Sequence, residues 1–162
     1  MFIVRKARVD DVPDIYQLLR LLAREGLLLP RSYANLYEMV QTFFVARDPD
    51  KPEILGGVAA LQVAWEDLAE TRSLAVPEEF RGLGLGRELT LALEAEAKAL
   101  KIKKLFVLTY APGFFEKLGY RQVTLDSLPQ KIWAVCFNCV HYPNCQEIAL
   151  VKDISGDEAL SH

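Results

Sequence analysis

The spacing of apolar positions predicts two helices near the start of the chain. Asp10 to Pro13 supply a helix cap and an early proline, and apolar residues then recur at three- and four-residue steps up to Gly26. Ser32 can cap a second helix. The predicted inward faces are Val12, Ile15, Leu19 and Leu22 in the first helix, and Leu36, Met39, Val40 and Phe43 in the second.

From Phe44 onward the pattern changes to short apolar runs that are typical of strands. Residues 44–46 are separated from residues 54–64 by the turn-forming segment 48–52, and residues 70–76 follow a turn at 65–67. Because short turns join antiparallel neighbours, we expect these runs to form an antiparallel meander.

A long helix is predicted after a glycine-rich turn. Its apolar stripe consists of Leu85, Leu89, Ala92, Leu93, Ala97 and Leu100. We expect Glu94 and Lys98 to form a pair on the solvent side. The run from Lys104 to Thr109 then predicts a buried strand parallel to residues 70–76, because a helix joins the two.

The remaining pattern predicts a short helix that carries Phe114, Phe115 and Leu118 and is ended by Gly119. Residues 120–123 and 147–151 read as further strands. Strands and helices therefore mix in an α/β arrangement, and we expect one domain over residues 1–162.

Composition narrows the possible partners and compartment. The net charge of -3 comes without a clustered basic face, so we expect no nucleic-acid partner. No apolar run reaches the roughly 18 residues of a membrane span, and Arg5 and Lys6 interrupt the apolar start, so no secretory signal is visible. These features indicate a cytoplasmic protein without a membrane partner.

Three cysteines, Cys136, Cys139 and Cys145, lie close together with His141 between them. They could form a four-ligand zinc site, because Cys-x-x-Cys is a common half-site. A structural site usually adds a second, more distant pair, which this sequence lacks. We therefore favour buried free thiols and expect no metal.

The glycine-rich turn has the chemistry of a phosphate-binding loop. Consecutive N–H groups and the positive end of the following helix would point to one spot. A Walker loop is excluded because no Lys-Ser/Thr pair follows the glycines, and the spacing Gly82-x-Gly84-x-Gly86 does not fit a dinucleotide fingerprint. The pyrophosphate of an acyl-coenzyme A, flanked by Arg81 and Arg87, and a plain glycine-rich loop both remain open.

The segment Leu74-Ala75-Val76, followed by Arg-Gly-Leu-Gly-Leu-Gly-Arg at 81–87, resembles the coenzyme A loop of the GNAT superfamily of N-acetyltransferases. Residues 114–120 are similar to its Phe-Tyr/Phe-x-x-x-Gly-Phe/Tyr segment. The resemblance implies a mixed, mostly antiparallel sheet with two splayed parallel strands, helices on both faces, and acetyl-CoA as co-substrate. The implied cofactor-binding residues are Leu74, Ala75, Val76, Arg81, Gly82, Leu83, Gly84, Leu85, Gly86, Arg87 and Phe115.

A narrower resemblance joins residues 26–32, residues 128–133 and the cysteine pattern to the short, stand-alone bacterial N-acetylglutamate synthases. It implies acetyl transfer to the α-amine of L-glutamate, the first step of arginine synthesis. Longer relatives carry an amino-acid-kinase domain that binds arginine. These 162 residues hold none, so we do not expect feedback through such a domain.

The reaction needs a base, an oxyanion donor and help for the leaving thiolate. The resemblance places a water-relayed base at Glu70, and Thr109 on the neighbouring strand could assist through its hydroxyl. Backbone N–H near Leu74 would stabilise the oxyanion. Many members have tyrosine where this chain has Phe115; Tyr110 is the nearby phenol, and the general acid stays open.

Glutamate brings two carboxylates, for which arginine is a suitable partner. The resemblance places one carboxylate at Arg31, and Arg72 and Lys131 are further candidates. Other acceptors remain open, namely another amino acid, an amine or a protein N-terminus. A non-catalytic sensor that binds acyl-CoA is also open, and such domains often form homodimers.

Overall fold

The computed structural model describes residues 1–26, 31–129, 132 and 147–155, which form seven strands and four α-helices. In chain order these are β1 (Ile3–Lys6), α1 (Val12–Arg24), α2 (Tyr33–Glu38), β2 (Phe43–Asp48), β3 (Lys51–Trp65), β4 (Leu68–Ala75), α3 (Leu85–Ala99), β5 (Lys104–Thr109), α4 (Pro112–Glu116), β6 (Arg121–Val123) and β7 (Ile148–Asp153).

The strands form one mixed sheet in the order β1-β2-β3-β4-β5-β7-β6. The pairs β1/β2, β2/β3, β5/β7 and β6/β7 are antiparallel. Strands β4 and β5 are parallel over three residue pairs, from Leu68 opposite Lys104 to Glu70 opposite Phe106. This arrangement confirms the predicted mixed, mostly antiparallel sheet with one parallel pair.

The start of the chain differs from the sequence prediction in two ways. A strand, β1, precedes the first helix, because its partly charged residues 3–6 are held by pairing with β2 rather than by an apolar pattern of their own. Helix α2 ends at Glu38, and Phe43, which was predicted to lie on a helix face, begins β2. Phe43 is fully buried opposite Ala60, so pairing with β3 overrides the helical spacing.

Helix α3 buries Leu85, Leu89, Leu93 and Ala97 as predicted. Two other predictions for this helix are wrong. Glu94 is only 6% exposed and so does not lie on the solvent side, and Leu100 is 52% exposed beyond the end of the helix. The buried stripe therefore follows positions 85, 89, 90, 93, 94 and 97, which extends it to one side of the predicted line.

The chain divides into two compact units, 1–62 with 71–100, and 63–70 with 101–162. In the first unit, α1 and Leu36 of α2 pack with buried residues of β2 to β4: Phe43, Val45, Val58, Ala60 and Ala75. In the second unit, the buried cluster consists of Leu68, Phe106, Leu128, Ala149 and Val151.

A buried carboxylate, Asp11, joins three elements of the first unit. Arg5 of β1 donates two hydrogen bonds to its oxygens, at 2.8 and 3.1 Å. Arg47 of β2 donates from Nε at 3.1 Å, and the backbone N–H of Arg8 donates at 2.7 Å. Burial raises the pKa of Asp11, but these donors together lower it below its ordinary value.

Candidate active site

The glycine-rich loop before α3 needs glycine for its backbone conformation. Gly82 and Gly84 have φ angles of 87° and 80°, in the left-handed region that other residues rarely adopt. An added Cβ at either position would meet no atom within 4 Å. The glycines are therefore explained by backbone geometry rather than by crowding.

The end of this loop presents hydrogen-bond donors and positive charge. Helix α3 begins at Leu85, and helix geometry leaves the N–H groups of Leu85, Gly86 and Arg87 without an acceptor within the helix. Arg81, Leu83 and Arg87 are exposed. An exposed helix N-terminus flanked by two arginines is suited to an anion such as a pyrophosphate.

The side chain of Arg81 also connects the loop to the residue that follows β4. Its Nε donates to the carbonyl oxygen of Val76 at 3.1 Å. Two backbone bonds hold the intervening turn, from Phe80 N–H to Pro77 O at 2.9 Å and from Arg81 N–H to Glu78 O at 3.2 Å. Arg81 therefore has a structural contact in addition to its predicted role towards phosphate.

Strand β4 contains an irregularity that the sequence did not reveal. Ser73 has a φ of 55°, which is uncommon for a residue with a side chain. A positive φ departs from the extended geometry of a strand, so the following peptide group has a different orientation from that in a regular strand. This positive φ lies directly before Leu74, near which we predict the backbone N–H that donates to the oxyanion, and nothing in the residue type of serine indicates it.

The two arginine candidates of the first unit have different surroundings. Arg31 is half-buried, and its guanidinium carbon lies 5.0 Å from the centre of the Phe43 ring. It precedes Ser32, whose hydroxyl caps α2 by accepting from Asn35 N–H at 3.1 Å. Arg72 donates from Nη1 to Gln62 Oε1 at 3.1 Å, so that part of its guanidinium is held by β3.

In the second unit, the two catalytic candidates lie apart. Glu70 is half-buried and lies opposite Phe106 in the parallel pair. Thr109 lies three residues beyond Phe106, about 10 Å further along β5. The hydroxyl of Thr109 accepts from Ala111 N–H at 2.9 Å, which gives it a local role at the turn into α4.

Phe115, which was predicted to contact the cofactor, is only 3% exposed. Its ring packs edge-on against Phe114 at 4.9 Å and Tyr120 at 5.4 Å between ring centres. The side chain therefore belongs to an aromatic cluster of α4 and the segment that follows it.

Several predicted residues fall outside the described parts of the chain. These are Lys131, the three cysteines and His141. Within residues 1–26, 31–129, 132 and 147–155, no three His, Cys, Asp or Glu side chains are grouped as a metal site would require. In the same residues, every helix is too short or too polar to cross a membrane.

Comparison with known proteins relates this arrangement to acetyl transfer. The family profile described as Acetyltransferase (GNAT) domain matches residues 40–122. A protein of Chlorobaculum tepidum named only as an N-acetyltransferase is 41% identical over 151 residues, which cover 93% of this chain and 96% of that protein. The amino-acid acetyltransferase of Mycobacterium tuberculosis is 39% identical over 121 residues, covering 75% of this chain and 69% of that enzyme.

A solved structure gives the same relationship in three dimensions. The N-acetylglutamate synthase of Neisseria gonorrhoeae, solved with coenzyme A and N-acetyl-glutamate, superimposes with a TM-score of 0.85 and 26% identity. The match covers 95% of this chain and 35% of that one.

Proposed function

Because this chain belongs to the GNAT acetyltransferase family, we propose that it transfers the acetyl group of acetyl-CoA to the α-amine of L-glutamate. The observation that carries the choice of glutamate is the match over 95% of the chain to a synthase solved with N-acetyl-glutamate. The likeness to the amino-acid acetyltransferase of M. tuberculosis supports an amino-acid acceptor. We assign the reaction to arginine biosynthesis in the cytoplasm and propose a homodimer.

We assign the donor side to the loop of residues 81–87. The N–H groups at the start of α3, together with Arg81 and Arg87, bind the pyrophosphate, and the backbone of Leu74 to Val76 pairs with the pantetheine arm. The exposure of this loop and the free N–H groups of the first helical turn support the assignment.

We assign the chemical step to direct attack within a ternary complex. Glu70 accepts a proton from the α-ammonium through water, and the amine nitrogen attacks the thioester carbonyl carbon. The Leu74 N–H donates to the oxyanion. The carbon–sulfur bond then breaks, the coenzyme A thiolate leaves, and the second proton of the attacking nitrogen passes to that thiolate, which gives the neutral amide and free coenzyme A. The positive φ of Ser73 supports the role of Leu74, because it turns a peptide group of β4 out of the regular strand geometry.

We assign one glutamate carboxylate to Arg31, with Arg72 and Lys131 as further partners. The contact between the Arg31 guanidinium and the Phe43 ring supports this role, because a stacked guanidinium keeps its planar donors in a fixed orientation.

Steady-state release of coenzyme A thiol tests the assignment of Arg31. Arg31→Ala should raise the KM for glutamate about 10- to 150-fold, since a bidentate charged contact is worth about 1.5–3 kcal/mol and its loss leaves a carboxylate unpaired. The KM for acetyl-CoA should stay unchanged. Arg31→Lys should recover only part of the loss, because an ammonium cannot form the two-pronged contact.

The exposed Arg24 at the end of α1 provides the matched control, and Arg24→Ala should behave like the wild-type protein. Equal kinetics of Arg31→Ala and wild type with glutamate would contradict the carboxylate role of Arg31. Binding of coenzyme A without turnover of any amino acid would instead favour the sensor function.

A further inference from the structure

Two adjacent glycines in β3, Gly56 and Gly57, lie close to residues that precede and follow the acetyl-CoA loop. Glycine inside a strand is unfavourable, and it usually marks a place where another group approaches the backbone closely. Both glycines are buried, and each has a close neighbour that would meet a Cβ atom.

Gly56 makes room for an aromatic ring from the start of the chain. A Cβ at Gly56 would lie 2.5 Å from Cε1, 2.6 Å from Cδ1 and 3.0 Å from Cζ of Phe2. No Cβ atom in a folded protein tolerates the first two distances, so the ring of Phe2 rests directly on the backbone of β3.

The same ring contacts the turn that leads into the loop. Phe2 packs edge-to-face against Phe80, with 5.1 Å between ring centres and 68° between ring planes. Phe80 ends the turn of residues 78–80, and the next residue is Arg81, whose side chain closes onto Val76. Two contacts therefore connect the backbone of β3 to the first residue of the loop.

Gly57 leaves space for the end of the strand that leads into the loop. A Cβ there would lie 3.2 Å from the carbonyl oxygen of Ala75, 3.3 Å from Cγ2 of Val76 and 3.0 Å from Cδ1 of Leu89 in α3. The neighbouring glycine thus admits the end of β4 and the first turns of α3, which flank the loop on either side. The two glycines together form a seat for both ends of the loop.

We propose that Phe2, seated on Gly56 and against Phe80, is a positioning residue that fixes the acetyl-CoA loop for binding of the pyrophosphate. This inference rests on the proposed function of the loop. Phe2 itself contacts neither substrate in this account. It acts by holding Phe80, and through Phe80 the backbone of Arg81 and the N–H groups that follow.

The test compares cofactor binding with the chemical step. Phe2→Ala should raise the Kd for coenzyme A, measured by calorimetry, about five- to tenfold. The KM for acetyl-CoA should rise by about the same factor, because this is the change in affinity that corresponds to the loss of one aromatic pair. The kcat should stay within about twofold. Phe2→Leu, which keeps part of the apolar contact, should recover part of the loss and folds even if the alanine variant does not.

Val4→Ala is the matched control, because Val4 lies half-buried in β1, two residues after Phe2, opposite Ala46. It removes apolar contact from β1 and keeps both rings of the Phe2–Phe80 pair. We expect its thermal stability to fall while its Kd for coenzyme A stays within about twofold of the wild-type value. Equal shifts of Kd in Phe2→Leu and Val4→Ala, or no shift in either, would overturn the proposal.

A double substitution tests the seat at Gly56 directly. Gly56→Ala alone should weaken coenzyme A binding, because its Cβ displaces the Phe2 ring. In the Phe2→Ala background the same change should have no further effect, since the three atoms nearest to the new Cβ all belong to that ring. Additive effects of the two substitutions on the Kd would contradict the proposed contact between the Phe2 ring and Gly56.

Calorimetry with coenzyme A needs no acceptor, so it separates this inference from the choice of glutamate. If the wild-type protein binds coenzyme A but does not acetylate glutamate, only the proposed acceptor fails. If it does not bind coenzyme A at all, both the proposed function and the role of Phe2 fail.

Discussion

Glu70 and Thr109, the two catalytic candidates from the sequence, have different surroundings in the structure. Thr109 already accepts a hydrogen bond from Ala111 N–H at the turn into α4. Glu70 lies half-buried where the three residue pairs of the parallel ladder end. The hydrogen bond of Thr109 gives its hydroxyl a local role at this turn, and the proposed base is Glu70.

Glu70→Gln should therefore lower the kcat with glutamate about 10²- to 10³-fold, the usual contribution of a general base. The KM for acetyl-CoA should not change, since the loop is untouched. Activity of the variant should rise more steeply with pH than that of the wild type, because more of the acceptor amine is then already deprotonated.

The control for this prediction is Glu66→Gln in the exposed turn between β3 and β4, which should leave the kcat unchanged. A wild-type kcat in Glu70→Gln, measured by thiol release at neutral pH, would show that another group accepts the proton.

At the scale of elements, ion pairs as well as apolar packing connect the start of helix α1 to strands β1 and β2 of the sheet. Asp11 accepts from Arg5 on β1 and from Arg47 on β2, while Arg47 also donates to Asp14 of α1 at 2.9 Å. The exposed fractions of the Asp11 and Arg47 side chains are 3% and 9%. Removal of the Asp11 charge would leave the buried Arg47 guanidinium with Asp14 as its remaining ion-pair partner among the described residues, and it would remove the carboxylate partner of Arg5.

Asp11→Asn should consequently lower the free energy of unfolding by about 3 kcal/mol at pH 7. The folded-state pKa of Asp11 lies below its ordinary value, so this contribution is fully present above an ordinary pKa of about 4 and is lost as the pH falls through the folded-state value. Denaturant titrations of both proteins over this pH range should converge at the acid end.

Asp10→Asn is the matched control for the Asp11 network. The exposed Asp10 contacts only the exposed Arg8 among the described ion pairs, at 3.4 Å, and its loss should change stability by about 0.5 kcal/mol or less. A difference between wild type and Asp11→Asn that stays constant from neutral to acid pH would contradict the charge-based explanation.

At the scale of the whole molecule, the order of most elements and the glycine-rich loop could be predicted from local patterns. The stripe of α3, the apolar run of β5 and the turn glycines each carry their own periodic or conformational signal. The parallel pairing of β4 and β5 follows from the helix that joins them, and the structure pairs residues 68–70 with residues 104–106.

Features that depend on a distant partner could not be predicted in this way. Strand β1 forms because it pairs with β2. Phe43 lies in a strand and not in a helix because it pairs with β3. The positive φ of Ser73 also has no local signature, and the glycine pair of β3 indicates a close approach without identifying Phe2 as the group that approaches. In each case tertiary contact overrides intrinsic preference.

The acceptor is the central claim of this account, and one competition experiment tests it most directly. The protein is incubated with acetyl-CoA and an equimolar mixture of the twenty amino acids, and the N-acetylated products are quantified by mass spectrometry at early times. Product ratios then equal ratios of kcat/KM. We predict N-acetylglutamate in at least about tenfold excess over N-acetylglutamine, because a neutral amide cannot make the second charged contact. A mixture dominated by any other N-acetyl amino acid would contradict the account.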